Sequence, residues 1–352
     1  MKDKKYLTLY TKLKNKILAC EYKPGARLPS KRVLADMNGC SVITVEKALG
    51  MLSDEGYVMP QERSGYYVAY SHECSTKRVD APFRFTPLSE EGFDGGDDDF
   101  EYSVWCYTVR KVLSEKGKSL FVKSPGKGMP HLRNAISKYL LRYRGMMANP
   151  DSIIIGSGAE QLYETVVKIL GRDTLFGIED PSYPQIEAVY KGAGAKVLKL
   201  SMGDDGIKSD ALSKSNADIL HVTPFQSYPT GITTSILKKD EYLKWAENGK
   251  YIIEDDFNSE FFIPGNPIET LYSMRNHENI IYINTFSKSL SPSMRMGYMI
   301  LPPNLMEEYD KKMGMFSCTV PVMEQYVLAE FINGGSFERH LNRMRRKMRN
   351  PK

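Results

Sequence analysis

The sequence predicts two architectures in one chain: a small α+β helix–turn–helix unit with a trailing hairpin, then a larger α/β unit built on a mostly parallel sheet. Three observations carry this. Residues 1–70 hold three amphipathic helical patterns with capping residues between them, followed by two short aromatic-rich runs. From Glu101 onward, short apolar runs alternate with helical patterns, as in strand–helix–strand units. Charge divides at the same place. Of 48 Lys/Arg and 43 Asp/Glu in the 352 residues, 12 and 7 fall in residues 1–70, which leaves 36 of each sign in the remainder. The net charge of +5 therefore belongs to the first fifth of the chain, and points that part alone toward a polyanion.

In the head, Tyr6, Tyr10, Leu13 and Ile17 recur at helical spacing, so a first amphipathic helix is expected from about Tyr6 to Cys20. Lys23-Pro-Gly25 ends it. Ser30 is placed as the N-cap of a short second helix carrying Val33, Leu34 and Met37, and Asn38-Gly39 forms the turn after it. Ser41 caps a third helix that buries Val45, Ala48, Leu49 and Leu52, with Gly56 as its stop. The third helix is the recognition candidate of this helix–turn–helix. Tyr57-Val-Met59 and Tyr66-Tyr-Val68 then form a hairpin around a loop that presents Arg63 and Gly65.

Residues 71–100 lack sustained periodicity and contain an acidic, Gly-rich run, Glu90-Glu-Gly-Phe-Asp-Gly-Gly-Asp-Asp-Asp99, so a mostly extended, solvated linker is expected. Beyond it, strands are expected at residues 153–155, 175–178, 197–200, 219–222, 251–253, 280–283 and 298–300. Ligands of such sheets gather at strand C-termini and helix N-termini. Gly156-Ser-Gly-Ala-Glu160 follows the first strand, and its small residues let backbone N–H groups approach a phosphate. Tyr183, on a Pro-flanked turn after the second, suits stacking on a planar ring. After the fifth strand, Asp255 and Asp256 both qualify as the carboxylate beside a pyridine nitrogen.

The stretch after residue 283, Asn284-Thr-Phe-Ser-Lys-Ser-Leu-Ser-Pro-Ser-Met-Arg295, sets one lysine, Lys288, among hydroxyls with Arg295 seven positions on. An amine for a Schiff base beside donors for a phosphate is what a pyridoxal phosphate site requires.

Composition excludes several classes. There is no apolar run long enough to span a bilayer, and the polar start, Met1-Lys-Asp-Lys-Lys, is unlike a signal peptide. The cysteines at positions 20, 40, 74, 106 and 318 are scattered, so neither a zinc site nor a disulfide framework is expected, and a reducing cytoplasm is the expected setting.

Two resemblances bring these features together. Pro24-Gly25, Arg27-Leu-Pro-Ser-Lys-Arg32, Leu34-Ala35, Ser41-Val-Ile-Thr-Val45, Ala48-Leu49, Leu52, Glu55-Gly-Tyr57 and Ser64-Gly65 resemble the winged helix–turn–helix of GntR-type repressors. That implies phosphate contacts from Arg27 and Arg32 and groove contacts from Ser41, Thr44, Arg63 and Gly65; Ser30 and Lys47 complete the expected DNA-facing set. Val42 stands where the family usually has arginine, so a base or phosphate contact there is expected to be lost or replaced by an apolar one, such as to a thymine methyl. From about residue 100 to 350 the chain resembles a fold-type I, aminotransferase-like domain, and with the head in front it resembles the MocR subgroup of GntR regulators.

The resemblance implies pyridoxal 5'-phosphate as cofactor. Lys288 becomes its Schiff-base lysine, Asp255 the partner of the ring nitrogen and Tyr183 the stacking residue. Ser157, Gly158, Ala159, Thr285, Ser287 and Arg295 become the phosphate cradle. Tyr228, in the place of the asparagine of an Asn-Pro-Thr-Gly motif, is carried over as a cofactor contact, and Phe257 stands where the subgroup has tyrosine. Relatives continue past the basic segment at residues 339–352 into a small C-terminal domain. The chain, ending at Lys352, is therefore expected to lack it, with that segment as one face of a helix beneath it. The implied function is a cytoplasmic, dimeric transcription regulator that binds a double-stranded DNA operator and senses an amino acid or amine. The alternative is an aminotransferase with an accessory DNA-binding head.

Overall fold

A computed structural model describes residues 5–61, 64–69, 100–247, 249–261, 269–274 and 278–349. The chain divides into two compact units, Met1–Gly92 and Phe93–Lys352.

The first unit contains α1 (Lys5–Leu18), α2 (Lys31–Asn38), α3 (Val42–Asp54), β1 (Val58–Gln61) and β2 (Gly65–Val68). Both expected caps form: Ser30 Oγ accepts from the Val33 N–H at 3.3 Å and Ser41 Oγ from the Thr44 N–H at 3.2 Å. Each satisfies one of the backbone donors that a helix start leaves open. In α3, Val45, Ala48, Leu49 and Leu52 are fully buried, the spacing of a single helical face. The strands pair antiparallel with Val58 opposite Val68, and strand pairing runs through Pro60, which the sequence assigns to the loop.

Two core expectations change. On α1 the buried stripe is Leu9, Leu13 and Ile17, while Tyr10 sits beside it and donates its hydroxyl to Glu55 at 2.6 Å. On α2 only Leu34 and Ala35 are buried, and Val33 and Met37 are exposed, Met37 by 67%. Val33 and Met37 are four residues apart, so they share one face; α2 turns its Leu34 edge to α3 and that face outward. The Arg63 position and residues 70–99, which include nearly all of the expected linker, lie outside the described residues.

The second unit begins with α4 (Tyr102–Lys116) and α5 (Pro130–Tyr139), continued by a π turn over Leu140–Arg144. Then come β3 (Ile153–Gly156), α6 (Ala159–Leu170), β4 (Leu175–Asp180), α7 (Pro184–Gly192), β5 (Lys196–Ser201), α8 (Ser209–Ser213) and β6 (Ile219–Val222). They are followed by α9 (Ile236–Ala246), β7 (Tyr251–Asp255), α10 (Leu271–Met274), β8 (Ile280–Thr285), α11 (Phe286–Ser289) and β9 (Gly297–Ile300). α12 (Pro303–Met313), α13 (Val322–Asn333) and α14 (Ser336–Arg349) complete it.

All seven expected strands join one sheet in the order β3-β9-β8-β7-β6-β4-β5. β9 is antiparallel to both neighbours, and the other pairings are parallel. Because β3 and β8 each run against β9, they run the same way. The C-termini of β3, β4, β6, β7 and β8 therefore share one edge.

Both faces of the sheet are covered, which is why its strands read as continuous apolar runs. Successive side chains alternate between two cores. Ile153, Ile155, Leu220, Val222, Ile252 and Tyr282 enter one; Ile154, Ile219, Ile253, Ile281 and Ile283 enter the other. This parity fixes which polar residues can meet at the strand ends.

Candidate functional site

Parity first separates the two aspartates that their place at the strand end leaves equivalent, in favour of Asp255, the one that the resemblance names. Asp255 follows Ile253 on one face, and Asp256 follows Ile252 on the other. Asp256 is committed to a buried structural network: Arg144 Nη2 donates to its Oδ2 at 2.8 Å, and so does the Tyr282 hydroxyl at 2.7 Å. Asp255 instead borders a cavity of about 330 Å³ at the shared strand edge. Its Oδ2 accepts from the Tyr163 hydroxyl, while its Oδ1 is buried with no hydrogen-bond partner. A buried carboxylate oxygen left unpaired is costly, and one beside a cavity points to a donor brought by a ligand.

The cavity wall gathers residues from the loops that end the strands. Ala159, Tyr183, Tyr228, Asp255, Thr285, Ser287 and Arg295, all expected site residues, line it, together with Glu160, Tyr163 and Phe257. The rings of Tyr183 and Tyr228 meet edge-to-face with centroids 5.9 Å apart.

Ser157 and Gly158 are not among the lining residues but form the entry to α6. Gly158 has φ +103°, a backbone conformation that favours glycine, and a Cβ there would stand 3.2 Å from Arg295 Nη2, which would have to give by a few tenths of an ångström. No side chain caps α6, so its first N–H groups remain available beside the cavity at the positive end of the helix. Arg295 Nη2 lies 3.6 Å from Glu160 Oε2.

Lys288 sits on the single turn of α11, next to lining residue Ser287. Its amine lies 5.1 Å from the Phe257 ring centroid and 6.0 Å from that of Phe261. The residue as a whole is exposed, yet partial burial near these rings lowers the pKa of the amine.

The residues that hold Asp255 and Thr223 were not singled out from sequence. Tyr163 lies within the apolar face of α6, and His221 within the apolar run of β6. Glu179, at the end of β4, accepts from the Thr223 N–H at 3.3 Å and from the Ser227 hydroxyl at 2.6 Å, and so ties down the loop that carries Tyr228. Burial pushes the Glu179 carboxyl up to about 7. A buried tyrosine hydroxyl and a buried glutamate each need a partner, and that was the available signal.

In the head, Arg27, Ser30, Arg32, Ser41 and Lys47 are exposed, and Thr44 is half-buried. The hydroxyls of Ser41 and Thr44 are 2.9 Å apart, and the Lys47 amine lies 4.3 Å from the Tyr6 ring centroid. Arg27 lies against the hairpin, bridging to Tyr67, with its Nε 3.4 Å from where a Cβ on Gly65 would be. Glu46 pairs with Lys31 at 2.7 Å. At the start of α3, Val42 and Ile43 are exposed, Ile43 by 76%.

Among the described residues no helix is long and apolar enough to cross a membrane, and no group of His, Cys, Asp and Glu could hold a metal ion.

A helix–turn–helix with a hairpin and an α/β body of this strand order together define a DNA-binding head joined to an aminotransferase-type domain. Comparison with known proteins agrees. Residues 5–68 match the family described as bacterial regulatory proteins, gntR family, and residues 95–351 match aminotransferase class I and II. An uncharacterized HTH-type transcriptional regulator of Bacillus subtilis (strain 168), YdeL, is 33% identical over 353 residues, covering 97% of this chain and 76% of that protein. The probable rhizopine catabolism regulatory protein MocR of Rhizobium meliloti is 28% identical, covering 96% of this chain and 73% of its own length.

Among solved structures, an archaeal alanine:glyoxylate aminotransferase superposes with a TM-score of 0.63 at 23% identity, over 69% of this chain and 63% of its own. LysN, the α-aminoadipate aminotransferase of Thermus thermophilus, superposes with a TM-score of 0.61 at 24% identity, over 71% of this chain and 65% of its own. The chain thus spans less than two thirds of these two enzymes, and at these identities the likeness establishes the fold alone. The chain belongs to the MocR-type group of GntR regulators, a gntR-family head fused to a class I and II aminotransferase domain.

Proposed function

We propose that this protein is a transcription regulator that binds double-stranded DNA through its head, carries pyridoxal 5'-phosphate on Lys288, and responds to an amino acid or amine. The observation that carries the reading is the convergence at one cavity of Asp255, with a buried and unpartnered Oδ1, and Arg295, with Gly158 against that arginine and the Lys288 amine 5.1 Å from the ring centroid of lining residue Phe257. These residues suit the cofactor on chemistry as well as position. Asp255 offers an acceptor for a protonated ring nitrogen. The free N–H groups of α6, with Ser157, Gly158, Ala159, Thr285, Ser287 and Arg295, offer donors for a phosphate. Tyr183 offers a ring to stack against and Tyr228 a neighbouring edge.

When bound, the pyridoxal group supplies an aldehyde that captures amines and a ring that withdraws electrons. Lys288 would hold it covalently, and the lowered pKa of its amine raises the share that is unprotonated and nucleophilic near neutral pH. Arg295 would exchange its long contact with Glu160 for a phosphate, a stronger charge-assisted partner.

In the head, Arg27, Arg32 and Lys47 would meet phosphates, and Ser30 belongs to the same DNA-facing surface. Ser41 and Thr44, with Gly65 and Arg63 of the hairpin, would approach the grooves. A homodimer would place two heads on paired half-sites. An amine that binds one arrangement of the protein more tightly than another would shift its affinity for DNA by that difference.

The full chain mixed with pyridoxal phosphate should develop the visible absorbance of lysine-bound cofactor, and Lys288→Ala should lose it. A panel of amines and amino acids should then change both that absorbance and binding to duplexes selected from a random library. A wild-type chain without the band would overturn the cofactor assignment. Unchanged DNA affinity across the panel would overturn the sensing role. Keto-acid product that depends on Lys288 would move the protein to the enzymes.

A further inference from the structure

The most completely built feature of the body that the expected site leaves out lies behind Asp255. Three residues from three elements converge there: Tyr163 from α6, Tyr190 from α7 and His221 from β6. All are buried to 3% exposure or less. The Tyr163 hydroxyl donates to Asp255 Oδ2. His221 Nε2 lies 3.7 Å from the same oxygen, and His221 Nδ1 lies 2.7 Å from the Tyr190 hydroxyl.

The rings pack as a unit: Tyr163 and His221 meet edge-to-face at 5.0 Å, and Tyr190 stacks on Phe176 at 4.4 Å. Burial, with the Asp255 charge as the next contribution, holds the Tyr163 and Tyr190 phenols well above their ordinary pKa, so both remain donors. The Tyr190 hydroxyl and His221 Nδ1 share one hydrogen bond; the tautomer in which the hydroxyl donates carries the ring proton on Nε2, on the side of Asp255. Tyr163 thus hydrogen-bonds Oδ2, His221 Nε2 stands 3.7 Å from the same oxygen without a hydrogen-bond partner of its own, and Oδ1 of this cavity-lining residue is left unpaired.

We propose that Tyr163 and His221, backed by Tyr190, are positioning residues that lock the Asp255 carboxylate so that Oδ1 receives the ring nitrogen of the bound pyridoxal group. This rests on the cofactor reading above. A carboxylate fixed through Oδ2 keeps Oδ1 aimed at the ring nitrogen, and that acceptor holds a proton there. Without these neighbours the carboxylate is free to rotate, and the Oδ1 contact that holds the proton on the ring nitrogen is lost. The group would then hold its cofactor with a weaker electron sink.

The test uses the full chain loaded with 15N-labelled pyridoxal phosphate and reads the ring-nitrogen chemical shift, alongside cofactor affinity from the visible band. Tyr163→Phe should move the nitrogen signal toward that of an unprotonated pyridine, part of the way to the value in Asp255→Asn, and weaken cofactor binding by about tenfold. His221→Asn should move it in the same direction. Tyr190→Phe removes a single hydroxyl two bonds' reach from the carboxylate and should give the same shift in smaller measure, which keeps the proposal testable should the larger substitution impair folding. A wild-type nitrogen signal in all three variants, with cofactor bound, would overturn the relay while leaving the cofactor assignment intact. Failure of the wild-type chain to bind pyridoxal phosphate would overturn both.

Discussion

The adjacent residues Asp255 and Asp256 should have opposite phenotypes, and the contrast can be worked from their surroundings. Arg144 and Asp256 form an ion pair at 2.8 Å with side chains only 5% and 4% exposed, and Arg144 Nη1 has no hydrogen-bond partner. Asp256→Asn keeps the side-chain size but removes the anion, leaving a buried guanidinium without its direct counter-charge. Breaking a buried pair in this way costs about 3–5 kcal/mol. Glu260 is close by but is a poor substitute near pH 6, because burial pushes its carboxyl up to about 7. Asp255 has no lysine or arginine partner among the described hydrogen bonds and ion pairs, and an asparagine oxygen can still accept from Tyr163. Asp255→Asn should therefore stay within about 1 kcal/mol of wild type in stability. Both tryptophans of the chain, Trp105 and Trp245, belong to the second unit, so their fluorescence reports unfolding of the body alone. At pH 6 the body of Asp256→Asn should melt on the order of 10 °C below wild type, while that of Asp255→Asn should not. Equal shifts in the two variants, or a change below about 1 kcal/mol for Asp256→Asn, would refute the division of labour.

Other consequences follow from single contacts. Gly158→Ala adds a Cβ at φ +103° and 3.2 Å from Arg295 Nη2; with a backbone cost of about 1–2 kcal/mol, it should weaken pyridoxal phosphate binding about tenfold in an absorbance titration. Arg32→Ala should weaken DNA binding by about 1 kcal/mol in fluorescence anisotropy and lower the salt slope by about one. Val42 and Ile43 are exposed at the reading end of α3, so replacing contacted thymines of a selected duplex by uracils should cost about 0.8 kcal/mol per methyl removed. Glu179 and Glu254 are both buried and raised from the ordinary 4.5 to about 7. A carboxyl shifted upward in the folded state contributes stability that is fully present below its free value and is lost as pH rises through the folded one. The body's unfolding free energy, followed by tryptophan fluorescence, should therefore fall between about pH 5 and pH 8, by at most about 3 kcal/mol per group.

What the sequence revealed and what it concealed divide along the range of the interactions. The head was legible because its signals are local: Ser30 and Ser41 cap the helices they precede, and Val45, Ala48, Leu49 and Leu52 repeat within one helix. The strands were legible because each is a short apolar run buried on both faces. Val33 and Met37 misled because α2 offers two apolar edges, and only its packing on α3 selects Leu34. The expected site residues that line the cavity follow strand ends, where a chain-order reading can place them.

The support behind the site is different in kind. Tyr163, Tyr190 and His221 occupy positions that periodicity assigns to the core, and they are indeed buried there. Their common dependence on Asp255 arises from two helices and two strands meeting on one face of the sheet. The same parity explains why the residue pattern alone leaves Asp255 and Asp256 open, so that only the resemblance names Asp255. Adjacent strand residues point to opposite faces, and no local pattern says which face carries the cavity. The answer depends on where Arg144 is delivered. It sits in the π turn after α5 on the Asp256 side and takes that carboxylate into the core. By elimination as well as by position, the carboxylate left beside the cavity is Asp255. The chemistry at this edge of the sheet is therefore set as much by the cation that claims one aspartate as by the cofactor proposed for the other.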